Sequence, residues 1–455
     1  MSNKEVNLKL NQYDKTKKSI CFIASSGMSL RNILLESSLK SILKLQNKYN
    51  IFFITEKKYV ESYNLKLNFI QINRINNKII LKISRLLNIF SRFLFDKLNY
   101  TDTKRIQYKY DWLGNSYTRL FYKFRKVIPN SNFLLYLIRK INNNLIRLFS
   151  PEIKRLIKNL NPEHVISLDP LNKIEYPYLL HSSFHCNTSA VIKSFDNITS
   201  KGYIPFVPDN IFVWNNLMVS EAIEAYGFFK PKVLAIGAPQ YDHVKSIIHY
   251  IKPESNQILY CTNSSDIYND DKTNIDYILT FLDTYNLKLL IRVKQTDNFQ
   301  RWNLYSNSKN VEIYPDNIIQ NDANRTCSNI NHQISLEKQI QDSFVVISSY
   351  STIIYDSLAL KTPSINLGYT YSRNKNGWSI IKCEGFNHIK PLIKPICIDN
   401  VRSKEQLKEK ILYRYKNGFN NKEEDARRKF IKKFLGANLK DTTVNNLIAS
   451  LNLVS

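Results

Sequence analysis

Apolar positions along the chain follow two periods. Short unbroken runs, Ser19-Ile-Cys-Phe-Ile-Ala24, Asn50-Ile-Phe-Phe-Ile-Thr55 and Asn68-Phe-Ile-Gln-Ile72, have the length and composition of buried strands. After the first of them Leu30, Ile33, Leu34, Leu35, Leu39, Ile42 and Leu43 recur at helical spacing. The alternation resumes beyond 160, with strands predicted over 163–168, 189–194, 211–214 and 232–236. Helices are predicted over 172–184, interrupted at Pro177, and 220–226. A further series starts near 256, with strands over 257–261, 288–293, 344–347 and 364–367 and helices over 271–285 and 353–360. Residues 297–335 are polar and read as loops and short strands, and 403–417, 421–436 and 440–452 as surface helices. Strands alternating with helices predict parallel sheets whose strand C-termini face ligand. Both series share one plan of strand, small-residue loop and helix. The expectation is an α/β protein with two Rossmann-like domains facing a cleft, over 1–242 and 243–420, followed by C-terminal helices over 421–455.

Residues 74–160 depart from this alternation and read as a basic helical insertion in the first domain. From Arg74 to Lys158 there are 19 Lys and Arg against four Asp and Glu, about +15. The 455-residue chain has a formal net charge of +27, so more than half the excess lies here. Aromatic residues interleave with it, at Arg92-Phe-Leu-Phe95, Arg119-Leu-Phe-Tyr-Lys-Phe-Arg125 and Arg147-Leu-Phe149. Two readings stand: an insertion packed on the first domain with solvated cations, or a docking face for an anionic membrane surface.

A hydrophobic fraction of 43% excludes global disorder, and ten Gly with 14 Pro exclude collagen-like architecture. The six Cys have no C-x-x-C spacing and read as reduced thiols. His181, His185 and Cys186 lie close together without a carboxylate companion, so no metal is expected. No apolar run approaches 18 residues, the run 133–138 ending at Arg139 and Lys140, and the polar N-terminus has no signal-like core. The expected location is cytoplasmic, touching the inner face of a membrane without crossing it.

Candidate chemistry sits in the loops that follow predicted strands. Ser349, Tyr350, Ser351 and Thr352 stand between a buried strand and a helix, where free N–H groups and small hydroxyls suit a phosphate or simply cap the helix. Asp356 follows within that helix, near enough for a hydroxyl or ring nitrogen of the same ligand. In Lys193-Ser-Phe-Asp-Asn-Ile-Thr-Ser-Lys-Gly202, Asp196 is the only acid. It reads either as a general base or as the cap of its own turn. Asn197, Ser200 and Lys201 supply donors beside it. Asn263 and Ser264 follow the first strand of the second series, and Arg292 and Lys294 the next. Ser26 and Gly27, in the first loop, suit a phosphate or an acceptor; one Gly there is too little for a dinucleotide fingerprint.

The order S-x-S-T-x-x-x-D, then x-x-P-x-I, over 349–365 resembles the donor-binding segment of GT-B glycosyltransferases. Among these are bacterial surface-carbohydrate and CDP-glycerol glycerophosphotransferase-like enzymes. The loop at 194–202, Asp209-Asn-Ile-Phe-Val-Trp214 and Gly237-Ala-Pro-Gln-Tyr-Asp242 resemble, in order, segments of bacterial surface-carbohydrate glycosyltransferase-like proteins. The resemblance implies a GT-B architecture, with nucleotide donor on the second domain and acceptor on the first. It implies a metal-independent glycosyltransferase without cofactor, its nucleotide-sugar donor being substrate and its acceptor a surface polysaccharide or lipid-linked glycan. Asp196 is then the catalytic base; Asn263, Ser264, Arg292, Lys294, Ser349, Tyr350, Ser351, Thr352 and Asp356 bind donor; Ser26, Gly27, Asn197, Ser200 and Lys201 line the acceptor side. The chain departs from the pattern at Lys294-Gln295, where His-Pro is usual. A lysine there neutralises phosphate but is no near-neutral acid or base. The alternatives are a CDP-glycerol-type polyol-phosphate transferase, a non-hydrolysing nucleotide-sugar epimerase, for which the identifiable cleft acids are too few, and a non-catalytic basic protein binding membrane or nucleic acid. Because the charge excess lies outside every donor-like motif, nucleic acid is not the expected partner.

Overall fold

Eight strands form a first sheet and six a second, in a computed structural model that describes residues 7–9, 14, 16–60, 67–110, 116–242, 244, 254–263, 268–294, 297–314, 330–372, 378–436 and 441–453. The first holds β1 (Asn7–Lys9), β2 (Ser19–Ala24), β3 (Asn50–Thr55), β4 (Asn68–Gln71), β5 (Pro162–Ser167), β6 (Asn187–Val191), β7 (Asn210–Val213) and β8 (Lys232–Ala235). They lie in the order β1-β4-β3-β2-β5-β6-β7-β8, parallel except for β1, which pairs antiparallel with β4. The second holds β9 (Gln257–Cys261), β10 (Lys288–Arg292), β11 (Val311–Tyr314), β12 (Val345–Ser348), β13 (Ser364–Leu367) and β14 (Ile398–Val401), ordered β11-β10-β9-β12-β13-β14 and parallel throughout.

Parallel strands covered on both faces require apolar residues on both, which explains the unbroken runs. Along β2, Ile20, Phe22 and Ala24 pack with Leu30, Ile33, Ile51 and Phe53. Cys21 and Ile23, pointing the other way, pack with Phe52, Ile54, Ile153 and Leu179. In each sheet the strand order reverses beside the first strand of its series, between β2 and β5 and between β9 and β12. A crevice opens beyond the strand C-termini at such a point.

Several local expectations shift. The helix after β2 is two helices, Gly27–Leu34 and Glu36–Leu45, broken at Leu35, whose ψ of 147° is extended. Pro177 lies in the first turn of Tyr176–Ser182, where its missing N–H costs nothing, so it starts the helix rather than interrupting it. β6 ends at Val191, leaving Lys193 to Asp196 as a loop above the sheet. β1 and β14 were not legible, being three and four residues long with polar members.

The insertion between β4 and β5 comprises helices Lys78–Leu98, Asp102–Lys109, Ser116–Phe124, Asn132–Leu148 and Pro151–Leu160. It does more than cover the first sheet. Thr103 donates its N–H and hydroxyl to Asn387 Oδ1, both at 3.1 Å, and receives the Asn387 N–H at 2.8 Å. Lys390 donates to Asp102 at 2.5 Å. The chain also returns from the second sheet to the first. After helix Asn421–Phe434, Phe434 O accepts from Asn215 at 2.6 Å and Leu435 O from the Ala238 N–H at 3.1 Å. Val444, Leu447 and Ile448 of helix Thr443–Ser450 then join the cluster around Ile20 and Phe22.

Candidate functional site

The β9/β12 reversal brings Asn263 to Ser349. The Asn263 side-chain amide donates to Ser349 O at 3.1 Å and to its hydroxyl at 3.3 Å. Tyr350 follows in the left-handed region, φ 43°, with its N–H bonded to Asn366 Oδ1 at 2.7 Å. Its hydroxyl joins Glu384 and Arg402. A bulky residue held at positive φ marks backbone that its surroundings over-determine, a feature that clusters at ligand clamps. The first turn of Ile353–Ala359 differs from expectation. The Ile353 N–H donates to Ser351 Oγ at 3.4 Å, that of Ile354 to Ser351 O at 3.3 Å and that of Tyr355 to Thr352 O at 2.9 Å. Those donors are already bonded and the helix is only seven residues long. The first turn therefore offers side chains rather than a free helix end.

Lys294 stands at the end of β10, half-buried, its N–H bonded to Thr262 Oγ1 at 3.0 Å. Burial holds its pKa below the usual lysine value, against the pull of Asp271 and Asp297. Arg292 turns toward the β11 side of the sheet, with its guanidinium 4.6 Å over the Tyr314 ring and bonded to Gln339. Ser264 lies outside the described residues. Asp356 meets the Tyr241 hydroxyl of the first unit, so two motifs recognised separately in the sequence come together.

The loop bearing Asp196 faces the second unit. Phe195 packs on Tyr355, ring centroids 5.6 Å apart, and on Phe434 at 5.9 Å. The Asp196 carboxylate accepts from Ser194 and, at 2.8 Å, from Ser200. Burial alone would raise its pKa; His388, these hydroxyls and Lys201 outweigh that and hold it below the usual value. Asp196 stands at the N-cap of the short helix Asn197–Ser200, but its carboxylate accepts no backbone N–H there and is held by the two hydroxyls instead, so the expected cap of its own turn is not formed. Asn197 is buried and its side-chain NH₂ has no partner. His388, absent from the sequence expectations, is lowered by burial while Asp196 acts in the opposite direction, and its Nδ1 has no partner. A lone histidine outside any recognised motif carried no signal.

At the β2/β5 reversal the first unit builds a second polar cluster. Glu175 accepts from the Ser25 N–H at 2.7 Å, the Ser25 and Ser167 hydroxyls at 2.6 Å each, and the Asp169 N–H at 3.0 Å. Burial and Asp169 push its carboxyl up to about 7. Asp169 pairs with Lys193. Ser26 caps helix Gly27–Leu34, its hydroxyl accepting from the Ser29 N–H, and Gly27 is the first residue of that helix. Beside them Arg31 is only 7% exposed; it donates to Asn32 at 3.2 Å, and its Nε has no partner. Asn32 donates to Gln240 at 3.3 Å. Asp169, Glu175, Lys193 and Arg31 were not singled out in the sequence, although Asp169 and Lys193 stand within two residues of a strand C-terminus, where the topology rule points.

The loop after β9 rests on Asp271, which accepts from the Asn263 N–H at 2.9 Å and from the Tyr260 hydroxyl at 2.8 Å. Burial pushes its carboxyl up to about 7, against those bonds and Arg301. A carboxyl raised in the fold contributes stability at low pH that is lost as pH rises through its folded value. The native chain should therefore lose stability relative to Asp271→Asn as pH rises from about 4 to about 7. Denaturant midpoints of the two chains check this; a difference independent of pH would refute it.

No protein-family model matches the chain, and no curated protein matches it by sequence. Solved structures do match. A candidate UDP-N-acetylglucosamine 2-epimerase from Listeria monocytogenes aligns with a TM-score of 0.52 at 10% identity, over 96% of this chain and 96% of its own. The S. aureus MnaA–UDP structure gives 0.49 at 10%, over 96% and 98%, and the glycotransferase of kitacinnamycin 0.49 at 7%, over 96% and 100%. At such identity the likeness is one of fold, and the Listeria structure carries it. Two Rossmann-like units with parallel sheets, each reversing its strand order above a crevice, give this chain a GT-B glycosyltransferase-like fold.

Proposed function

We propose that the chain transfers a sugar from a nucleotide-activated donor to a hydroxyl of a surface-polysaccharide or lipid-linked acceptor. The observation that carries this reading is the strand-order reversal between β9 and β12, with Asn263 bonded to Ser349, Tyr350 held left-handed and Lys294 at the neighbouring strand end. The Asp196 loop of the first unit packs on Tyr355 of the second, beside His388 of that unit. The donor's diphosphate lies against Lys294, Ser351 and Thr352. The acceptor oxygen attacks the anomeric carbon, the bond to the phosphate oxygen breaks, and the nucleotide leaves with the electron pair. The acceptor's proton passes to the Asp196–His388 pair. A carboxylate held low is a weak base alone; beside His388, whose pKa burial lowers, it orients and charge-balances the group that takes the proton.

A non-hydrolysing epimerase is the second reading. Asp169 and Glu175 add carboxylates to the first unit's crevice, and the Listeria structure is named for a UDP-N-acetylglucosamine 2-epimerase.

Thermal-shift measurements with UDP, GDP, TDP, CDP and CMP test the donor site, since a ligand bound only by the folded state raises apparent stability. One nucleoside diphosphate is expected to stabilise the chain, and stabilisation by none would overturn the reading. Incubation with the matching nucleotide-sugar alone separates the two readings, because epimerisation needs no acceptor. Asp196→Asn is expected to leave the nucleotide shift in place and to lower transfer by about 10²–10⁴-fold; unaltered turnover would remove Asp196 from the mechanism.

A further inference from the structure

Two helices of the insertion carry apolar side chains on both faces: Ile80, Phe93, Leu94, Phe95, Leu135 and Ile146 are buried, and a second apolar stripe faces out. In Lys78–Leu98 the residues turned inward include Ser84, Asn88 and Ser91, while Ile79, Ile83, Leu86 and Phe90 are turned outward at i, i+4, i+7 and i+11. Ile79 is 70% exposed and Leu86 58%. In Asn132–Leu148, packed beside it, Arg139 and Asn142 are buried whereas Phe133, Leu137, Ile141 and Leu148 are exposed on one stripe, Phe133 by 72% and Leu148 by 74%. Asn88 accepts from the buried Tyr203 hydroxyl at 3.1 Å, and Arg139 donates to Pro205 O at 3.0 Å, so buried polar residues help fix which side of each helix faces the protein. More than half of the exposed large hydrophobic side chains among the described residues fall between 79 and 149. A helix that faces water normally turns its polar side out, and soluble surfaces rarely gather apolar side chains in this way.

We propose that these two helices form a face that seats in the headgroup boundary of an anionic lipid bilayer. The argument for that occupant is charge complementarity. Lys78, Lys82, Arg85 and Lys140 are exposed among the outward apolar residues, and Lys123 and Lys126 are exposed nearby. Lysine is depleted from protein–protein interfaces, whereas apolar side chains ringed by cations are what an anionic interface retains. Among the described residues no helix is long and apolar enough to cross a membrane, so the face lies on the bilayer. Arg85 and Arg92 are electrostatic neighbours of Lys173, which lies between Asp169 and Glu175 in sequence. The docked face thus adjoins the first unit's crevice, and a lipid-borne substrate reaches that crevice without leaving the surface.

Co-sedimentation of the full chain with phosphatidylcholine vesicles, and with vesicles also containing phosphatidylglycerol, tests this. The native chain should pellet with the anionic vesicles and stay in solution with the neutral ones. Phe90→Asp with Phe133→Asp should abolish pelleting while circular dichroism stays native, since both side chains are exposed. Replacing Lys82 and Lys140 by Gln should weaken partition by about thirtyfold, from about 1 kcal/mol for each lysine near an anionic surface. Ile396→Asp, at an exposed apolar position of the second unit, should pellet as the native chain does. Four results would overturn the proposal. They are equal behaviour with the two vesicles, unaltered pelleting of the Phe90/Phe133 variant, retention by RNA with no retention by vesicles, and a dimer in solution that this variant dissociates while vesicles leave the native chain unbound.

Discussion

Gly436→Ala is expected to destabilise the chain by more than about 3 kcal/mol. Gly436 has φ +63°, and a Cβ there would stand 1.7 Å from Trp214 O, 2.9 Å from the Trp214 carbonyl carbon and 3.2 Å from Gly237 Cα. All three are backbone atoms of the first unit, so no side chain can swing aside. Gly418→Ala is the control: its φ is +57° with ψ −135°, but nothing lies within 4 Å of the added carbon, leaving only a backbone cost of about 1–3 kcal/mol. Urea unfolding of both variants measures the contrast, and equal losses would show that the contact with Trp214 does not matter. The position has functional weight. Residues 434–436 are where the chain leaves the second unit to close on the first, through Asn215 to Phe434 and Ala238 to Leu435. A shift there displaces Phe434 from Phe195, and with it the Asp196 loop.

Arg414→Met is expected to cost about 3–5 kcal/mol. The guanidinium is buried and donates from Nε to Asp399 at 2.6 Å, from Nη1 and Nη2 to Glu423 at 2.7 and 2.9 Å, and from Nη1 to Gly418 O at 2.7 Å. Asp399 belongs to β14 and Glu423 to the helix capped by Asn420, so one cation ties the last strand to the helix that starts the return. Methionine fills a similar volume but leaves two carboxylates without it. Arg428→Met is the comparison, since Arg428 pairs with Glu424 at an exposed position and its loss should cost at most about 1 kcal/mol. Denaturation midpoints separate the two. A loss at Arg414 no larger than that at Arg428 would mean that water reaches both carboxylates once the cation is gone.

Much of the fold was legible because its signals are local. β2, β3, β9 and β12 are buried on both faces, which forces unbroken apolar runs, and the loops after them announce themselves by small residues. β14 was missed because Ile-Asp-Asn-Val has neither an apolar run nor a clean alternation. Around the candidate site, motif residues could be picked out in the sequence, while the residues the fold sets beside them could not. Asp196 was read from its loop, but its neighbour His388 comes from the other unit. Asp356 was read from its helix, but its partner Tyr241 was known only as part of a different motif. Glu175 carried no signal, since its role depends on Ser25, 150 residues earlier.

The insertion shows the same division most sharply. Its charge and helical period were plain in the sequence, yet an amphipathic pattern says only that a helix has two faces. Ordinary expectation buries the apolar stripe, and here each helix buries one, with Leu94, Phe95, Leu135 and Ile146, and leaves a second facing out, its orientation fixed by contacts such as those with Tyr203 and Pro205. The sequence by itself determined two series of strands and helices, the loops that crown them and the placement of the positive charge, because burial and period act over a few residues. The tertiary structure alone decided which acids meet which cations, which helix face meets water and where the chain closes on itself. Those are set by contacts such as Thr103 with Asn387, 284 residues apart, whose energy exists only once both units are folded and packed together.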